Sequence, residues 1–599
     1  MSGPHVVLDT DFGRGEQFFR LWAEWQAAPA RGALHYLAIA PRPPAAADIA
    51  PAQLRALWPP LVPGLHRILL DDGRVTLDLM IGSAEALLPQ IEARVDAFHV
   101  PAVAAGAPAI PARALARLAV QGATLWAGAP DETQAWALHA AGFACELAPD
   151  SNLGVAAAAM TDAAAAPATA TAAAAATAAA TAAALDTAAQ PPDLCGVYAS
   201  RKPQPAAPAA PERRAIVIGA GVAGSAACER LCAHGWDVTL IERHAEPAQE
   251  ASGNLAGIFM PLLSKDDNIP TRLSRTAFLF ALRQWVRLGG VGKAFAGASC
   301  GVLQLARDAG HAAVQREVVE AWNYPTEYVR WLDAAAASAR LGSATPHGGW
   351  LFEQGGWARP SSLCAALLDA CGARLRRVFL AEALDLQRVD GRWQVRDGAG
   401  ALVAEAPTVV LATGAGARAL AQSAPLPLQA LRGQVTHLAP ERVPAQSLVV
   451  CREAYITPPF EGVICAGATY DDDADPALRA ASQQENMARL AEILPAVRVA
   501  DAPLAGRVGF RCAAPDRLPL AGALPDYPSA GRLERLRDVP RHPGLHCLLG
   551  YASRGIIWAP LMAELLVSQL EGLPAPLEAN LAAALDPGRF LLKQRRRSQ

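Results

Sequence analysis

The residues of this chain best suited to chemistry lie between positions 215 and 242. The sequence there reads AIVIGAGVAG, and Glu242 follows 18 residues after Gly224. Gly219 permits a tight turn out of the apolar strand, Gly221 lets backbone approach a pyrophosphate, and Gly224 lets the next helix pack close to the sheet. That helix presents free N–H groups and the positive end of its dipole to phosphate, while Glu242 can accept hydrogen bonds from ribose hydroxyls. The pattern predicts a dinucleotide site and leaves FAD and NAD both open.

Two further glycine turns favour a flavin over a nicotinamide. One contains Gly414, and the other contains Gly550, Ser553 and Gly555 and precedes a helix that we expect to run to about residue 570. A reduced flavin carries negative charge near N1 and its C2 carbonyl, which a helix N-terminus and the N–H groups of a glycine turn can stabilise. Nicotinamide needs no such element. We therefore expect the three glycine turns to converge on one FAD molecule.

The composition and charge exclude several classes of protein. Net charge is −3, so nothing in the overall charge drives binding to nucleic acid. No uninterrupted apolar run has the length of a membrane span. The eleven cysteines form no CxxC pair and fit no zinc pattern, and the absence of a signal peptide favours a reducing compartment. We expect a cytoplasmic protein without a membrane or metal partner.

The 599 residues predict at least two domains joined by a tether. Residues 154–190 are almost entirely Ala and Thr, and we interpret 154–210 as a flexible linker. A helix buried within one domain remains the alternative. Before this linker, hydrophobic periodicity predicts strands at 6–8, 34–39, 75–81 and 123–127 and helices at 18–25, 84–95 and 112–120. This alternation predicts an α/β unit with a mainly parallel sheet.

Motifs spread over residues 213–590 carry a resemblance to known flavoproteins. They read ASGN at 251–254, PLLSK at 261–265, QGGW at 354–357, GQVTH at 433–437, YITP at 455–458, GATY at 467–470, RCA at 511–513 and DRLP at 516–519. This part resembles the glycine oxidase and D-amino-acid oxidase group. Within that group it is most similar to the bifunctional tRNA 5-methylaminomethyl-2-thiouridine biosynthesis proteins, which the segment 66–79 also matches.

The resemblance implies a fold class and a division into domains. We expect an α/β protein with a degenerate Rossmann-like methyltransferase fold over 1–153, the linker over 154–210, and an FAD-binding Rossmann-type domain over 211–599. The segments at about 295–350 and 425–510 would form an inserted substrate domain built on a mixed β-sheet. These segments alternate apolar and polar residues and are rich in β-formers.

The resemblance also implies an activity on the wobble uridine in the anticodon loop of tRNA. The flavin half would remove the carboxymethyl group from 5-carboxymethylaminomethyl-(2-thio)uridine, and a methyltransferase half would then add a methyl group from S-adenosylmethionine. Arg511 aligns with the carboxylate-binding arginine of the glycine oxidase group, Tyr455 aligns with a substrate-side tyrosine, and Arg554 lies beside the flavin-facing turn. Lys265 is a further candidate to face the flavin or a tRNA phosphate. The expected FAD contacts are Gly219, Gly221, Gly224, Glu242, Arg243, Ser252, Asn254, Gly414, Gly550, Ser553, Gly555 and Ile556.

The methyltransferase half departs from the pattern of its family. Asp11 replaces the first glycine of the cofactor loop, Ala40 stands where an acid holds the ribose, and Pro101 stands where the family has a catalytic acid. Because this loop follows the first strand directly, we also expect the domain to be truncated at its N-terminus, without the family's leading segment. We therefore expect methyl transfer and S-adenosylmethionine binding to be weak or absent, and the domain to serve folding, docking or tRNA contact.

Two other functions remain open at this point. One is an oxidase of free glycine or sarcosine that carries the first unit as a passenger. The other is a non-enzymatic RNA-binding or assembly module on a relic fold, which the intact glycine motif, Glu242 and Arg511 disfavour. The oligomeric state stays open, with a monomer as the working expectation.

Overall fold

A computed structural model describes residues 4–102, 110–147, 193–199, 212–383, 385–495, 497, 504–529, 531 and 533–597. It divides into two compact units. The first comprises Met1–Ala210 and Glu571–Ala579, and the second comprises Pro211–Leu570 and Asn580–Gln599.

The first unit is built on one eight-stranded sheet. Its strands are β1 (His5–Asp9), β2 (Leu34–Ala40), β3 (Gly64–Leu70), β4 (Val75–Ile81), β5 (Val95–Val100), β6 (Ala119–Ala127), β7 (Phe143–Leu147) and β8 (Leu194–Tyr198). Its helices are α1 (Glu16–Ala27), α2 (Ala52–Leu57), α3 (Ala84–Leu87), α4 (Ala112–Leu118) and α5 (Glu132–Ala141). The strand order is β3-β4-β2-β1-β5-β6-β8-β7, and the five strands from β4 to β6 in this order run parallel.

The antiparallel edges make this sheet mixed, because β3 pairs antiparallel with β4 and β8 pairs antiparallel with both β6 and β7. The chain moves from β1 to β2 on one side and returns to β5 on the other, which makes the carboxyl ends of β1 and β5 a topological switch point. Two apolar clusters fill the unit; one includes Leu8 and Phe98 and the other includes Phe18 and Tyr36.

Three expectations for this part of the chain were wrong in detail. The helix expected over 84–95 ends at Leu87, where Pro89 follows within two residues, and Val95 already begins β5. The helix expected over 112–120 ends at Leu118, and β6 begins at the next residue. Residues 194–198, placed in the linker, form β8 inside the sheet. Apart from 193–199, the expected linker lies outside the described residues.

The second unit combines a nucleotide-type sheet with a second large sheet. Its strands are β9 (Arg214–Ile218), β10 (Asp237–Ile241), β11 (Gly257–Phe259), β12 (Gly297–Ala298), β13 (Val302–Leu305), β14 (Arg330–Leu332), β15 (Gly349–Phe352), β16 (Gly356–Ala358), β17 (Leu375–Val378), β18 (Asp385–Val389), β19 (Arg392–Arg396), β20 (Leu402–Ala406), β21 (Thr408–Leu411), β22 (Gln429–Leu438), β23 (Val449–Cys451), β24 (Tyr455–Ile456), β25 (Ile464–Gly467), β26 (Ala505–Ala513), β27 (Leu520–Pro525) and β28 (Arg541–Leu549).

Its helices pack around these sheets. They are α6 (Val222–Ala233), α7 (Ile269–Arg287), α8 (Ala309–Trp322), α9 (Ala334–Leu341), α10 (Pro360–Ala370), α11 (Ala480–Ile493), α12 (Gly555–Glu571), α13 (Ala579–Leu585) and α14 (Gly588–Arg597). None of the helices within the described ranges combines the length and the apolar character that crossing a lipid bilayer demands.

The nucleotide-type sheet has the order β17-β10-β9-β21-β28-β27 and is parallel except for β27. The second large sheet has the order β14-β15-β13-β23-β24-β25-β22-β26 and mixes parallel with antiparallel pairs. All of its strands lie between residues 302 and 513, that is, between β9 and β28 in the chain. The α/β fold with an inserted mixed sheet is therefore confirmed.

Candidate active site

A cavity of about 490 Å³ opens in the second unit where β9, β10, β21 and β28 end. The turns that follow these strands all contribute to its lining. The carboxyl edge of a parallel sheet is where such folds bind their ligands. The three glycine turns identified in the sequence thus meet at one cavity.

The first glycine turn brings strand, helix and neighbouring turn into close contact. Gly219 has φ +102°, and a Cβ added there would lie 2.6 Å from the carbonyl oxygen of Ala412. A Cβ on Gly224 would lie 1.8 Å from the carbonyl oxygen of Gly219, so α6 packs against β9 as closely as backbone allows. Gly224 does not line the cavity; it sets the position of the helix whose N-terminus does.

Two polar side chains fix the loop between β9 and α6. The Oγ of Ser252 accepts a hydrogen bond from the Val222 N–H at 3.1 Å, and a Cβ on Gly221 would approach that same oxygen to 3.1 Å. The carboxylate of Glu242 accepts hydrogen bonds from the N–H groups of Ala220 (2.7 Å) and His244 (3.0 Å) while it lines the cavity. Glu242 therefore links the glycine loop after β9 to the end of β10 through these two hydrogen bonds.

Charged residues surround the end of the cavity next to β10. Arg243 forms an ion pair with Glu250, which also pairs with His244 at 2.9 Å. Asn254 accepts a hydrogen bond from a guanidinium N–H of Arg507 at 3.2 Å, which links the loop after β10 to β26. These contacts place Arg243 and Asn254 on the cavity wall.

The last glycine turn ends β28 and starts α12. Gly550 has φ +73°, and a Cβ there would approach Leu520 Cδ1 to 2.8 Å. The cavity wall continues through Ser553 and Gly555 to Ile556. A Cβ on Gly555 would lie 3.1 Å from Val222 Cγ2. The N-termini of α6 and α12 are therefore neighbours, and both direct the positive ends of their dipoles toward the same cavity.

Arg511 lies on β26, and its side chain crosses the strand β22 beside it. Its guanidinium donates to the carbonyl oxygen of Thr469 at 3.2 Å, and its Cζ lies 4.4 Å from the centre of the Tyr470 ring. A Cβ on Gly433 would lie 1.7 Å from Nη1 of Arg511, so only glycine at that position leaves room for the guanidinium. Within the described residues Arg511 forms no ion pair.

Arg554 lines the cavity from the turn before α12. Its Nη1 is 3.5 Å from the carbonyl oxygen of Met260, and no carboxylate of the described residues pairs with it. Burial lowers the pKa of its guanidinium. An arginine in such a position gains from an anionic ligand, because desolvating an unpaired charge is unfavourable.

Tyr455 on β24 lines the cavity and pairs in register with Cys451 on β23. Burial raises the pKa of Tyr455, and burial raises the pKa of the Cys451 thiol to about 12. The two groups are therefore neutral at physiological pH. Tyr455 can act as a hydrogen-bond donor there but not as a phenolate base.

The structure thus brings together all of the residues expected from the sequence except two. Gly224 lies behind the wall, as described, and Lys265 does not line the cavity. Lys265 is exposed and pairs with Glu317 at 2.7 Å, so the idea that it faces the flavin was wrong. Sequence reasoning gave no role to Gly433 or Tyr470, although both lie in the motifs GQVTH and GATY that carried the resemblance.

The lining of the cavity fits an FAD molecule. The helix N-termini and glycine turns present backbone N–H groups to the cavity. A Cβ at Gly219 or Gly221 would approach Ala412 or Ser252 to 2.6 or 3.1 Å, so these tight turns favour glycine. The Oγ1 of Thr413, in the second glycine turn, is buried without a hydrogen-bond partner among the described residues, and Thr413 lines the cavity. Glu242 is placed to accept from ribose hydroxyls.

Comparisons with solved structures show the same fold. The chain is similar to glycine oxidase from Geobacillus kaustophilus (TM-score 0.50, 22% identity, covering 60% of this chain and 95% of that chain). It is also similar to iminodiacetate oxidase from Chelativorans sp. BNC1 (TM-score 0.50, 23% identity, covering 60% of this chain and 96% of that chain).

The family model described as FAD dependent oxidoreductase (DAO) matches residues 214–569. The second unit is accordingly an FAD-dependent oxidoreductase.

Two relatives extend the match over the whole chain. The "tRNA 5-methylaminomethyl-2-thiouridine biosynthesis bifunctional protein MnmC" of Azoarcus sp. (strain BH72) is 42% identical over 99% of this chain and 90% of its own length. Its counterpart in Burkholderia thailandensis is 41% identical over 99% of this chain and 91% of its own length. The chain belongs to this MnmC family, which confirms the resemblance carried by the motifs.

The resemblance implies S-adenosylmethionine as a ligand of the first unit, and the residues at the expected site do not fit it. At the switch point, the buried carboxylate of Asp9 accepts from the Tyr36 hydroxyl at 2.6 Å and lies 3.1 Å from Nδ1 of His99. The His99 ring stacks on Trp126 with 4.5 Å between centroids. Burial and then the neighbouring Asp9 carboxylate raise the pKa of Tyr36 well above its usual value. The carboxylate of Asp9 is thus already engaged by neighbouring side chains, and that of Asp11, in the loop that follows, accepts from the Gly13 N–H at 3.2 Å.

The loop after β1 also closes on itself. Phe12 is 2% exposed, and its ring centre lies 5.8 Å from that of Trp58. A Cβ on Gly15 would lie 2.7 Å from the Phe12 ring, so this glycine makes room for Phe12. Ala40 ends β2 without an acid that could hold a ribose. Neither this loop nor the end of β2 therefore offers the contacts that S-adenosylmethionine needs.

Proposed function

We propose that the second unit oxidatively removes the carboxymethyl group of 5-carboxymethylaminomethyl-(2-thio)uridine at the wobble position of tRNA. The products are the 5-aminomethyl base and glyoxylate. The observation that carries this proposal is the pair Arg511 and Arg554, two guanidinium groups at one cavity without a carboxylate partner among the described residues. Membership of the MnmC family and the FAD-dependent oxidoreductase match support it.

The substrate arm is a glycine joined to the base through its nitrogen. Its carboxylate needs paired N–H donors, which a guanidinium presents in a planar fork. We assign this contact to Arg511 and a supporting charge to Arg554. Tyr455 is the third residue we assign to the substrate side, as a neutral hydroxyl. When bound, the flavin would supply the acceptor for a hydride from the α-carbon of the arm.

The role of the protein is then to position the substrate arm and to stabilise the negative charge that accumulates during the reaction. Loss of a hydride from the α-carbon, together with release of the proton on the neighbouring nitrogen to water, leaves a carbon–nitrogen double bond, which water hydrolyses to glyoxylate and the free amine. The N-termini of α6 and α12 face the cavity and favour the negative charge that accumulates during the reaction. No side chain has to act as a strong base, because the bound geometry and the electrostatic surroundings carry the step.

We further propose a division of labour between the parts of the chain. The oxidase would occupy the residues from 211 to 599, and the methyltransferase-like fold would extend over 1–153 but transfer methyl groups weakly or not at all. Cytoplasmic tRNA would be the partner of the oxidase.

Nucleoside mass spectrometry of the tRNA product tests this function. Purified protein, incubated with tRNA that carries the carboxymethylaminomethyl base, should convert it to the aminomethyl base with release of one glyoxylate per base. Arg511→Ala should retain its yellow colour but raise the apparent KM, because losing a desolvated charge pair costs about 2–5 kcal/mol. Arg316→Ala, which removes an exposed arginine on α8, is the matched control and should behave as wild type.

Two outcomes would contradict the proposal. If the purified protein carries no flavin, the oxidase reading fails entirely. If free glycine or sarcosine is oxidised while the tRNA base stays unchanged, the enzyme is a free amino-acid oxidase. Unaltered kinetics in Arg511→Ala would remove this residue from the substrate contact.

A further inference from the structure

Tyr470 is an exposed aromatic residue whose two neighbours along the chain are held by hydrogen bonds. Thr469, the residue before it, is fully buried; its hydroxyl accepts from the Gln434 N–H at 3.1 Å and bonds to Asp471 at 3.2 Å. Asp471, the residue after it, exchanges two backbone hydrogen bonds of 3.0 Å with Arg432. Both neighbours of Tyr470 along the chain are therefore held in place.

Arg432 holds the backbone on both sides of Tyr470 in place. Its guanidinium is fully buried and pairs with the Asp471 carboxylate at 2.9 Å. It also donates to the carbonyl oxygens of Asp475 (2.8 Å) and Ala477 (2.6 Å). A buried charge with this many partners fixes the backbone of the segment after β25. The Tyr470 side chain starts from that fixed backbone.

Tyr470 is 56% exposed, although it lines the cavity. The Arg511 guanidinium lies over the ring at 4.4 Å and is the group to which we assign the substrate carboxylate. An aromatic side chain that lines a cavity while more than half of the residue is exposed is available to a ligand. The chemistry that such a ring recognises is another flat, unsaturated ring.

The length of the substrate arm keeps the base close to Arg511. Four bonds separate the carboxyl carbon from the pyrimidine ring, and at about 1.5 Å each, less their zigzag, they span on the order of 5 Å. Tyr470 is the aromatic neighbour of the Arg511 guanidinium, which lies over part of its ring with Cζ 4.4 Å from the ring centre. A base whose carboxylate arm is bound by Arg511 therefore lies near Tyr470 and can contact the part of the ring that the guanidinium leaves open.

We propose that Tyr470 is the stacking platform for the wobble base and so gives the oxidase its selectivity for a nucleoside over a free amino acid. The inference rests on the proposed function and adds the residue that recognises the base. Aromatic side chains commonly hold unstacked bases of single-stranded RNA loops in this way. Tyr470 is thus a specificity-determining residue, whereas Arg511 binds the reacting arm.

The test compares an RNA with a base-free ligand. The RNA is an anticodon stem-loop that carries 5-carboxymethylaminomethyluridine, and its binding is followed by anaerobic bleaching of the flavin. The base-free ligand is N-methylglycine, followed by its perturbation of the flavin spectrum. Tyr470→Ala should raise the apparent Kd for the RNA about 5- to 150-fold, which corresponds to about 1–3 kcal/mol of stacking. The limiting rate of bleaching should stay close to that of wild type.

Two further variants sharpen the result. Tyr470→Phe keeps the ring and should restore RNA affinity, while Tyr470→Leu keeps apolar bulk without a flat face and should behave as Tyr470→Ala. Leu478→Ala removes a comparably exposed side chain (49%) from the same segment outside the cavity and is the matched control. Its affinity for the RNA should equal that of wild type.

Several results would overturn the inference. If Tyr470→Ala weakens RNA and N-methylglycine by the same factor, Tyr470 acts through Arg511 and does not contact the base. Unchanged RNA affinity in Tyr470→Ala, or a Tyr470→Phe variant as weak as Tyr470→Ala, also contradicts stacking. If the wild-type flavin is bleached by N-methylglycine but not by the RNA, the proposed function itself fails, and the inference fails with it.

Discussion

At the scale of single residues, the position of Arg511 depends on a glycine in the neighbouring strand. A methyl group at Gly433 would lie 1.7 Å from Nη1 and 2.5 Å from Cζ of the Arg511 guanidinium. The atoms in conflict are the far end of a flexible side chain, so the fold can tolerate the substitution while the guanidinium moves. Gly433 is therefore a positioning residue that keeps Arg511 over β22.

Gly433→Ala should accordingly weaken substrate binding and leave stability and flavin content nearly unchanged. The apparent KM should rise, because displacement of a positioned donor costs part of the energy of the charge-assisted contact, about 1.5–3 kcal/mol. A double-mutant cycle with Arg511→Ala gives the decisive measurement. If Gly433 acts through Arg511, adding Gly433→Ala to Arg511→Ala changes KM no further; an additive effect would contradict this role.

The sequence predicted the two arginines and the glycine turns but not Gly433 or Tyr470. Glycine spacing and the acid at Glu242 are local signals, since a strand, a turn and a helix follow one another within about thirty residues. The contact between Gly433 and Arg511 arises from the register of β22 against β26, in which Leu431 lies opposite Arg511 and Gly433 opposite Gly509. Such a register joins residues far apart in the chain, and no local pattern reveals it.

At the scale of elements, the contact between β9 and α6 determines whether the cavity can hold its cofactor. Gly224→Ala would place a methyl group 1.8 Å from the carbonyl oxygen of Gly219, which is backbone and cannot rotate away. The helix must shift, and overpacking of this kind costs about 1–3 kcal/mol. We expect loss of yellow colour on purification and a lower Tm. A variant that retains stoichiometric flavin would show that α6 can move without affecting the cofactor.

The first unit contains a buried ion pair that links three neighbouring strands. Arg67 on β3 donates to the Asp78 carboxylate on β4 at 2.7 and 2.8 Å, and Nε2 of His35 on β2 lies 2.8 Å from the same carboxylate. Burial alone would raise the pKa of Asp78, but Arg67 and His35 together hold it below its usual value. The Asp78 carboxylate is therefore charged in the folded state at every pH at which it is charged in the unfolded chain.

Arg67→Ala should destabilise the first unit by about 3–5 kcal/mol, because it leaves a buried carboxylate without its main partner. Since the folded pKa of Asp78 is lowered, its contribution is complete above the unfolded pKa of about 3.9 and is lost as pH falls through the folded value. The difference in Tm between wild type and variant should thus be constant near neutral pH and shrink below about pH 4. A difference that persists unchanged at acid pH would mean that packing, not charge, is responsible.

At the scale of the whole molecule, the α/β class of the first unit followed from hydrophobic periodicity and that of the second from the glycine motif and the family resemblance, but the ends of the elements did not follow from either. Pro89 stops the helix that the apolar pattern extended to Val95, and β8 comes from a stretch that composition assigned to a linker. Pro89 is a local signal that the apolar pattern overrode, whereas for β8 a tertiary contact, its pairing with β6, decided the outcome. Pairing across the sheet is not encoded in any single window of sequence.

The two units differ in how well their residues fit the two activities expected of a bifunctional chain. The residues of the first unit hold Asp9 with Tyr36 and His99 and leave Ala40 where a ribose-binding acid is expected. Full-length protein incubated with S-adenosylmethionine and carboxymethylaminomethyl tRNA should therefore accumulate the aminomethyl base, with little or no methylaminomethyl product by nucleoside mass spectrometry. Isothermal titration of the full chain should show no micromolar binding of S-adenosylmethionine. Stoichiometric methyl transfer would instead mean that this switch point binds the methyl donor without the acids that the family provides there.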